Sequence, residues 1–297
     1  MLTLILAACF PVVVFLVIIY KRDTVKEPPK QLIKCFVWGC ISTVPIIVVE
    51  LVLSEFNVFD SAFGASFYDA FVVAALVEEG FKFMFLYWLI WRHREFDQYY
   101  DGIVYAVFVS LGFALIENIF YVIANGFGTA VLRALLSVPA HGFFGVIMGY
   151  FFAIAKFNPQ KKSRFLWLSL LIPILFHGLY DFPLFYFGLS ENLTAGLLLF
   201  GGFLALMIIL WRLGIKYIKS HFLLDAQSNM PLPNYPPNYS SNYPPPPPNY
   251  PPNYPPPSYP PPPPNYPPNY PPPPPPNYRP NYPPSPNDPN YPPPTGR

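Results

Sequence analysis

Long runs of apolar residues occupy the first three quarters of the chain. A hydrocarbon core of ~30 Å is crossed by about 20 apolar residues of α-helix. Seven segments are long enough, at roughly 2–20, 31–53, 66–91, 102–124, 131–155, 165–187 and 195–217. The pattern predicts an all-α membrane protein with about seven transmembrane helices, a multi-pass protein of the plasma membrane.

Basic residues are concentrated in every second connection between these spans. Cytoplasmic loops of membrane proteins carry an excess of Lys and Arg. The connections after spans 2, 4 and 6 contain no Lys or Arg, whereas the other connections and the stretch after span 7 are basic. This alternation predicts an extracytoplasmic N-terminus and a cytoplasmic C-terminus. The basic residues are Lys21, Arg22, Lys26, Lys30, Lys34, Arg92, Arg94, Lys156, Lys161, Lys162, Arg164, Arg212, Lys216 and Lys219.

Composition changes sharply near residue 230. From there to residue 297 the sequence repeats Asn-Tyr-Pro-Pro with proline runs of variable length. Such a segment lacks the side chains needed for a core, so we expect it to be disordered or polyproline II. We divide the chain into a seven-helix domain at 1–222 and a Pro/Tyr/Asn-rich disordered cytoplasmic tail at 223–297. Only 11% of all residues are charged and the net charge is +2, so no nucleic-acid partner is predicted.

Eight ionisable or amide residues lie in the predicted spans away from the span ends, where they are costly. A charged side chain at bilayer depth costs at least ~2.5–3.5 kcal/mol. Such residues therefore indicate pairing between helices, transport or catalysis. They are Glu78, Glu79 and Lys82 in span 3, Glu117 and Asn118 in span 4, His141 in span 5, and His177 and Asp181 in span 6.

Helical spacing and depth make these residues one set. Glu78 and Lys82 are four positions apart, as are His177 and Asp181, so each pair shares a helix face. At 1.5 Å per residue, the depths below the outer helix ends are ~9–18 Å for Glu78, Glu117, His141, His177 and Asp181. We therefore expect one layer in the middle to outer half of the membrane, around a polar cavity that admits water.

Two hydrolytic chemistries suit such a cavity. A buried carboxylate beside a like charge, such as Glu78 beside Glu79, suits the base that activates water, and His177 can stabilise charge on the scissile oxygen. Alternatively, the protein uses a divalent metal such as zinc, with a position left for water. Its candidate ligands are Glu78, Glu117, His141 and His177. The residue pattern leaves both chemistries open, together with a structural or ion-conducting role for the same pairs.

The same residues resemble the motifs of the PrsW family of intramembrane proteases. The motifs are Glu-Glu-x-x-Lys at 78–82, Phe-x-x-x-Glu-Asn at 113–118, the isolated His141, and His-Gly-x-Tyr-Asp at 177–181. Further matches lie at Asp23, Glu27, 101–105 and Arg133. The resemblance covers roughly residues 10–218, with the motifs in order on successive spans.

The resemblance implies roles for the polar residues. Its superfamily includes the type II CAAX-prenyl proteases and the Aph scaffold subunit of gamma-secretase. Glu78 corresponds to the water-activating base, with Glu117 assisting it. His177 and Asp181 correspond to the oxyanion side of the site. The implied catalytic residues are Glu78, Glu79, Glu117, His177 and Asp181, with Lys82, Asn118 and His141 in support.

The resemblance also implies a class of substrate. Proteins of this type cut a single-pass membrane protein near the extracytoplasmic side, such as an anti-sigma factor whose cleavage releases a stress response. The Aph relationship leaves a non-catalytic scaffold or sensor of the same fold as the alternative. A small transporter is a third hypothesis, which the absence of an inverted internal repeat in the sequence disfavours.

Overall fold

The computed structural model of the chain describes residues 1–190 and 192–228. All regular secondary structure in these ranges is helical. The elements are α1 (Leu2–Arg22), α2 (Pro29–Ser54), α3 (Ala62–Tyr68), a π-helical segment (Asp69–Ala75), α4 (Leu76–Ile90), α5 (Tyr99–Asn125), α6 (Phe127–Leu135), α7 (Ser137–Phe157), a 3₁₀ turn (Pro159–Lys161), α8 (Lys162–Leu189) and α9 (Leu193–Ser228). The all-α fold class predicted from the apolar pattern is confirmed.

Six helical stretches of the described ranges are long and apolar enough to cross a membrane. They are α1, α2, α5, α6 together with α7, α8 together with the 3₁₀ turn before it, and α9. Six of the seven predicted spans are therefore found at the expected places. The remaining one, predicted at 66–91, is helical from Ala62 to Ile90 but consists of three shorter elements.

That third predicted span changes helix type just before its acidic pair. The π-helical segment Asp69–Ala75 passes directly into α4. A π-turn widens the helix locally, and such segments are frequent at functional sites. Here the ring of Phe71 occupies the space against Gly178, where any larger side chain on α8 would collide with it. The π-helical segment therefore packs onto the helix that carries His177.

The stretch predicted as one span at 131–155 contains two helices. Leu136 separates α6 from α7 with φ −118° and ψ −64°. Pro139 lacks an N–H, and its ring conflicts with the carbonyl four residues earlier, at the end of α6. The break gives α6 its own direction, which brings Arg133 to within 2.7 Å of Glu117 on α5.

The centre of the bundle is formed by α5 and α7, most of whose side chains are buried. Gly102 and Gly149 face each other where these helices cross, and a Cβ on either would meet the backbone of the other. Gly39 of α2 and Gly112 of α5 likewise pack against carbonyl groups of the facing helix. Small residues let membrane helices approach this closely. The outward faces of α1, α2 and α9 expose large apolar side chains, as contact with lipid requires.

The basic connections meet at one end of the bundle. The Lys156 ammonium donates a hydrogen bond to the Trp91 carbonyl at 2.7 Å, and the Tyr100 hydroxyl donates to the Ile19 carbonyl at 3.1 Å. These contacts join the ends of α7, α4, α5 and α1. The Lys and Arg residues of separate connections therefore lie on one side, which we refer to as the basic end.

The helical part of the chain reaches beyond the boundary predicted at residue 222. α9 continues to Ser228 without a break. The rest of the predicted tail, residues 229–297, lies outside the described residues, so its disorder stays a prediction.

Candidate functional site

The eight polar residues singled out in the sequence meet in the interior of the bundle. They come from α4, α5, α7 and α8, and six of the eight are buried. Glu117 and Asp181 keep a partly exposed side chain, at 20% and 15% respectively. We call this set the polar cluster; its members are Glu78, Glu79, Lys82, Glu117, Asn118, His141, His177 and Asp181.

The ammonium of Lys82 lies at the centre of the polar cluster. Its Nζ is 2.9 Å from Glu78 Oε2 and 2.8 Å from Glu79 Oε1. The same atom is 3.4 Å from Nδ1 of His141 and 4.2 Å from the centroid of the Phe113 ring. Spacings of three and four residues bring the two acids of α4 to one lysine. One buried cation thus holds two carboxylates and links α4 to α7.

Glu79 links α4 to α8. Its Oε1 accepts hydrogen bonds from Nδ1 of His177 at 3.0 Å and from Lys82. The side chain is fully buried, and its Oε2 has no hydrogen-bond partner among the described residues. A carboxylate enclosed in this way orients the groups around it and has no open path to a substrate.

Both ring nitrogens of His177 face carboxylates. Nε2 lies 3.1 Å from Asp181 Oδ2 and 3.9 Å from Glu78 Oε2. The ring of Phe144 stacks on the imidazole at 4.9 Å, and the His141 ring meets it edge-on at 5.3 Å. A ring that carries a proton on each nitrogen can donate to acids on both sides. The aromatic contacts hold it in that orientation.

Glu117 joins the polar cluster through His141 and Arg133. Its Oε2 is 2.9 Å from His141 Nε2 and 2.7 Å from Arg133 Nη2. Arg133 Nε also donates to Asn118 Oδ1 at 2.9 Å, and the Asn118 amide donates to the Ala8 carbonyl at 2.8 Å. Arg133 therefore contacts two members of the polar cluster, Glu117 and Asn118. Asn118 ties α5 to α1.

Sequence reasoning missed one acid of the site. Glu50 lies near the outer end of α2. It is half-buried, and its charged neighbours are Glu78, Glu117, Lys82 and His177. The position of Glu50 inside a predicted span could have identified it as a candidate. Whether its side chain faces the site, however, is decided by how α2 packs against α5.

The composition of the polar cluster bears on metal binding. Its four carboxylates, Glu78, Glu79, Glu117 and Asp181, outnumber by two the fixed cations that contact them, which are Lys82 of the cluster and Arg133 beside it. Protonated histidines or one divalent ion would balance the difference. Within the described ranges, Glu78, His141 and His177 each offer a ligand atom, and the three atoms lie within 4.8 Å of one another. Two imidazoles and a carboxylate are a donor set of catalytic zinc sites. Glu117, the fourth candidate ligand, pairs with His141 and Arg133 instead.

The polar cluster is distant from the basic end of the bundle. At 1.5 Å per residue, Glu78 is ~18 Å along α4 from Ile90, and His177 is ~22 Å along α8 from Lys162. Against a hydrocarbon core of ~30 Å, these distances correspond to the middle and outer half of the membrane.

Comparison with known proteins gives one family. The profile described as "PrsW family intramembrane metalloprotease" matches residues 27–211, which include every member of the polar cluster. No solved structure matches the chain.

Curated relatives agree with that profile. "Protease PrsW" of Oceanobacillus iheyensis is 39% identical over 220 residues, covering 74% of this chain and 96% of the relative. The protein of the same name from Geobacillus kaustophilus is 42% identical over 185 residues, covering 62% and 80%. That from Bacillus subtilis is 37% identical over 221 residues, covering 74% and 95%. The chain therefore belongs to the PrsW family of intramembrane proteases, as a multi-pass protein of the plasma membrane.

Proposed function

We propose that this protease hydrolyses peptide bonds at the polar cluster, with Glu78 as the base that activates water. The observation that carries the proposal is the gathering of acids, histidines and one lysine from four helices around Lys82, at bilayer depth. Each of these groups is costly in a hydrocarbon layer. Reaction chemistry accounts for all of them together.

Glu78 is the better placed of the two adjacent acids for proton transfer. Its side chain is 8% exposed, whereas that of Glu79 is fully enclosed, so water reaches Glu78. In the described part of the chain its hydrogen bond to Lys82 uses Oε2, which leaves Oε1 to accept a proton from water. A carboxylate positioned in this way acts as a general base.

His177 supports the opposite side of the reaction. When water attacks a peptide carbonyl, negative charge develops on the carbonyl oxygen, and donors aimed at that oxygen stabilise it. Nε2 of His177 lies 3.9 Å from the Glu78 carboxylate and 3.1 Å from Asp181, so a peptide oxygen that replaces Asp181 as the acceptor meets the donor beside the base. Asp181 and Glu79 act as positioning residues, because each lies about 3 Å from one ring nitrogen.

The pair formed by Glu117 and His141 assists from α5 and α7. Their 2.9 Å contact orients the imidazole so that Nδ1 faces the Lys82 ammonium at 3.4 Å. This pair therefore influences the cation that Glu78 also contacts. We assign this pair a supporting role: it stabilises the Lys82 ammonium when a proton moves onto Glu78 and the negative charge of Glu78 is lost.

A metal-dependent reaction uses the same residues. Glu78, His141 and His177 would hold the ion, which would supply a Lewis acid and lower the pKa of bound water. The donor spacing and the family description both fit this alternative. One observation disfavours this alternative. The Lys82 ammonium already contacts two of the three candidate ligands, at 2.9 Å from Glu78 and 3.4 Å from His141. We therefore favour Glu78 acting without a metal.

We infer that the substrate is a single-pass membrane protein cut near the extracytoplasmic side. The distance of the polar cluster from the basic end supports this position of the cut, because basic connections mark the cytoplasmic side. A single membrane helix can reach the site by lateral diffusion. The resemblance of the motifs supports an anti-sigma factor in a stress response as the class of substrate.

The test is cleavage of candidate single-pass substrates by the purified protein in liposomes. We expect cleavage by the wild type and by Glu55→Gln, an exposed acid outside the site, and cleavage at least about 100-fold slower by Glu78→Gln and His177→Ala. Cleavage by both site variants at the wild-type rate would show that the polar cluster is not the active site. Substrate that is retained but never cut by the wild type would favour the scaffold alternative.

A further inference from the structure

A groove runs between α4 and α8 on the basic side of the polar cluster. Its volume is about 590 Å³. Phe83 and Tyr87 of α4 form one wall, and Trp167 and Leu170 of α8 form the other, with Lys162 and Ser163 at one end. None of these residues takes part in the site described above. The groove therefore requires a separate explanation.

The two ends of the groove differ in polarity. From Lys162 to Leu170 it extends ~12 Å along α8, and beyond the first turn its lining is apolar. At its polar end, Lys162 Nζ lies 4.8 Å from the centroid of the Trp91 ring, and Lys156 Nζ lies 5.7 Å from the same ring. The Lys162 ammonium thus lies at the mouth of the groove, and that of Lys156 lies near the same Trp91 ring at the basic end of the bundle.

We propose that this groove binds an anionic phospholipid of the cytoplasmic leaflet. One acyl chain lies between α4 and α8, and the phosphate is held by the Lys162 ammonium and the Ser163 hydroxyl. Basic pockets between membrane helices on the cytoplasmic side bind anionic headgroups in this way. The apolar walls match the chain and the cationic mouth matches the headgroup, so both parts of the ligand find a complementary surface.

The same features disfavour a substrate helix as the occupant. The cytoplasmic end of a membrane helix is typically basic, so it would meet the ammonium group at the mouth with like charge. A helix about 10–12 Å wide also fills roughly 500 Å³ per turn. The groove therefore holds about one turn, whereas a flexible acyl chain can occupy its whole length.

Tryptophan quenching by brominated lipids tests the proposal on the full chain in phosphatidylcholine vesicles. Trp167 lines the groove, so brominated phosphatidylglycerol should quench it more strongly than brominated phosphatidylcholine at equal mole fraction. Lys162→Gln should lower this preference about fivefold, the effect of one basic residue near a membrane surface. Lys162→Arg should keep the preference, because it keeps the positive charge at the mouth of the groove.

Two controls make the result specific. Lys216→Gln removes an exposed lysine of α9 that lies outside the groove and should leave the preference unchanged. Trp167→Phe should remove the excess quenching. Equal quenching by the two lipids, or the same preference in Lys162→Gln and wild type, would overturn the proposal. So would a Lys162→Gln protein that loses substrate cleavage but keeps its lipid preference, since the groove would then serve the substrate.

Discussion

Oε1 of Glu79 lies 3.0 Å from Nδ1 of His177, and this contact joins α4 to α8 through the interior of the bundle. The same oxygen is 2.8 Å from the Lys82 ammonium. Glu79 therefore neutralises a cation and orients an imidazole at once. Successive residues of a helix point about 100° apart, so the Glu78 side chain points in a different direction from that of Glu79. It is also the more exposed of the two. In the proposed reaction, Glu79 therefore orients its neighbours and Glu78 transfers the proton.

Removing the Glu79 carboxylate should destabilise the fold. Glu79→Ala leaves Lys82 and His177 buried without their shared acceptor, and breaking a buried pair costs about 3–5 kcal/mol. The free energy of unfolding in micelles measures this. Glu95→Ala, which breaks an exposed pair with Arg94, should change it by less than about 1 kcal/mol. Equal effects of the two substitutions would contradict the structural role of Glu79.

Metal removal should leave cleavage intact if Glu78 acts alone. We expect the purified protein to contain less than one equivalent of zinc by elemental analysis and to keep its activity after dialysis against a chelator. Glu78→Gln should lower the rate about 10²–10⁴-fold, the usual contribution of a general base. Stoichiometric zinc that is lost together with activity, and activity restored by added zinc, would establish the metal-dependent alternative.

Arg133→Lys should impair cleavage although it keeps the charge. The guanidinium lies 2.7 Å from Glu117, donates to Asn118 at 2.9 Å and stacks over the Tyr121 ring at 4.2 Å. A lysine cannot reproduce this planar arrangement. Loss of one hydrogen bond to a charged group costs about 1.5–3 kcal/mol, so the rate should fall at least about tenfold. The exposed Arg94→Lys is the control, and an unaltered rate in Arg133→Lys would remove Arg133 from the site.

The point where α5 and α7 cross should not tolerate a side chain larger than that of glycine. In Gly149→Leu the new side chain would meet the backbone of Gly102, and overpacking typically costs about 1–3 kcal/mol. Gly201→Leu is the matched control, since no atom lies within 4 Å of the position of its Cβ. Thermal unfolding followed by gel filtration should show a lower midpoint for Gly149→Leu only. A similar midpoint for both would mean that the helices cross elsewhere.

Stability should fall as pH rises from about 4.5 to 7. Glu27 lies between α1 and α2 and accepts a hydrogen bond from the Tyr105 hydroxyl; burial raises its pKa from 4.5 to about 7. The unfolded chain loses this proton near pH 4.5, whereas the folded protein keeps it until about pH 7. The stabilisation is therefore complete below pH 4.5 and lost above pH 7. Glu27→Gln should flatten the difference in unfolding midpoint across this range, and an unchanged pH profile would contradict the shift.

The sequence by itself determined the transmembrane helices and the polar residues they carry. A twenty-residue apolar run has few alternatives to a membrane-spanning helix, because a chain in lipid must satisfy its backbone hydrogen bonds within each segment. Ionisable residues stand out against such runs, so every member of the polar cluster was found. Spacing within one helix also indicated the contact between Glu78 and Lys82, since residues four apart share a face.

Only the tertiary structure decided which groups of different helices meet. The contact of Glu79 with His177, the pairing of Arg133 with Glu117 and the position of Glu50 depend on the faces that neighbouring helices present to each other. Those faces are set by close packing at glycines, by the π-helical segment before α4 and by the break between α6 and α7. Packing of this kind joins residues far apart in the chain, and no local pattern of apolar and polar positions encodes it.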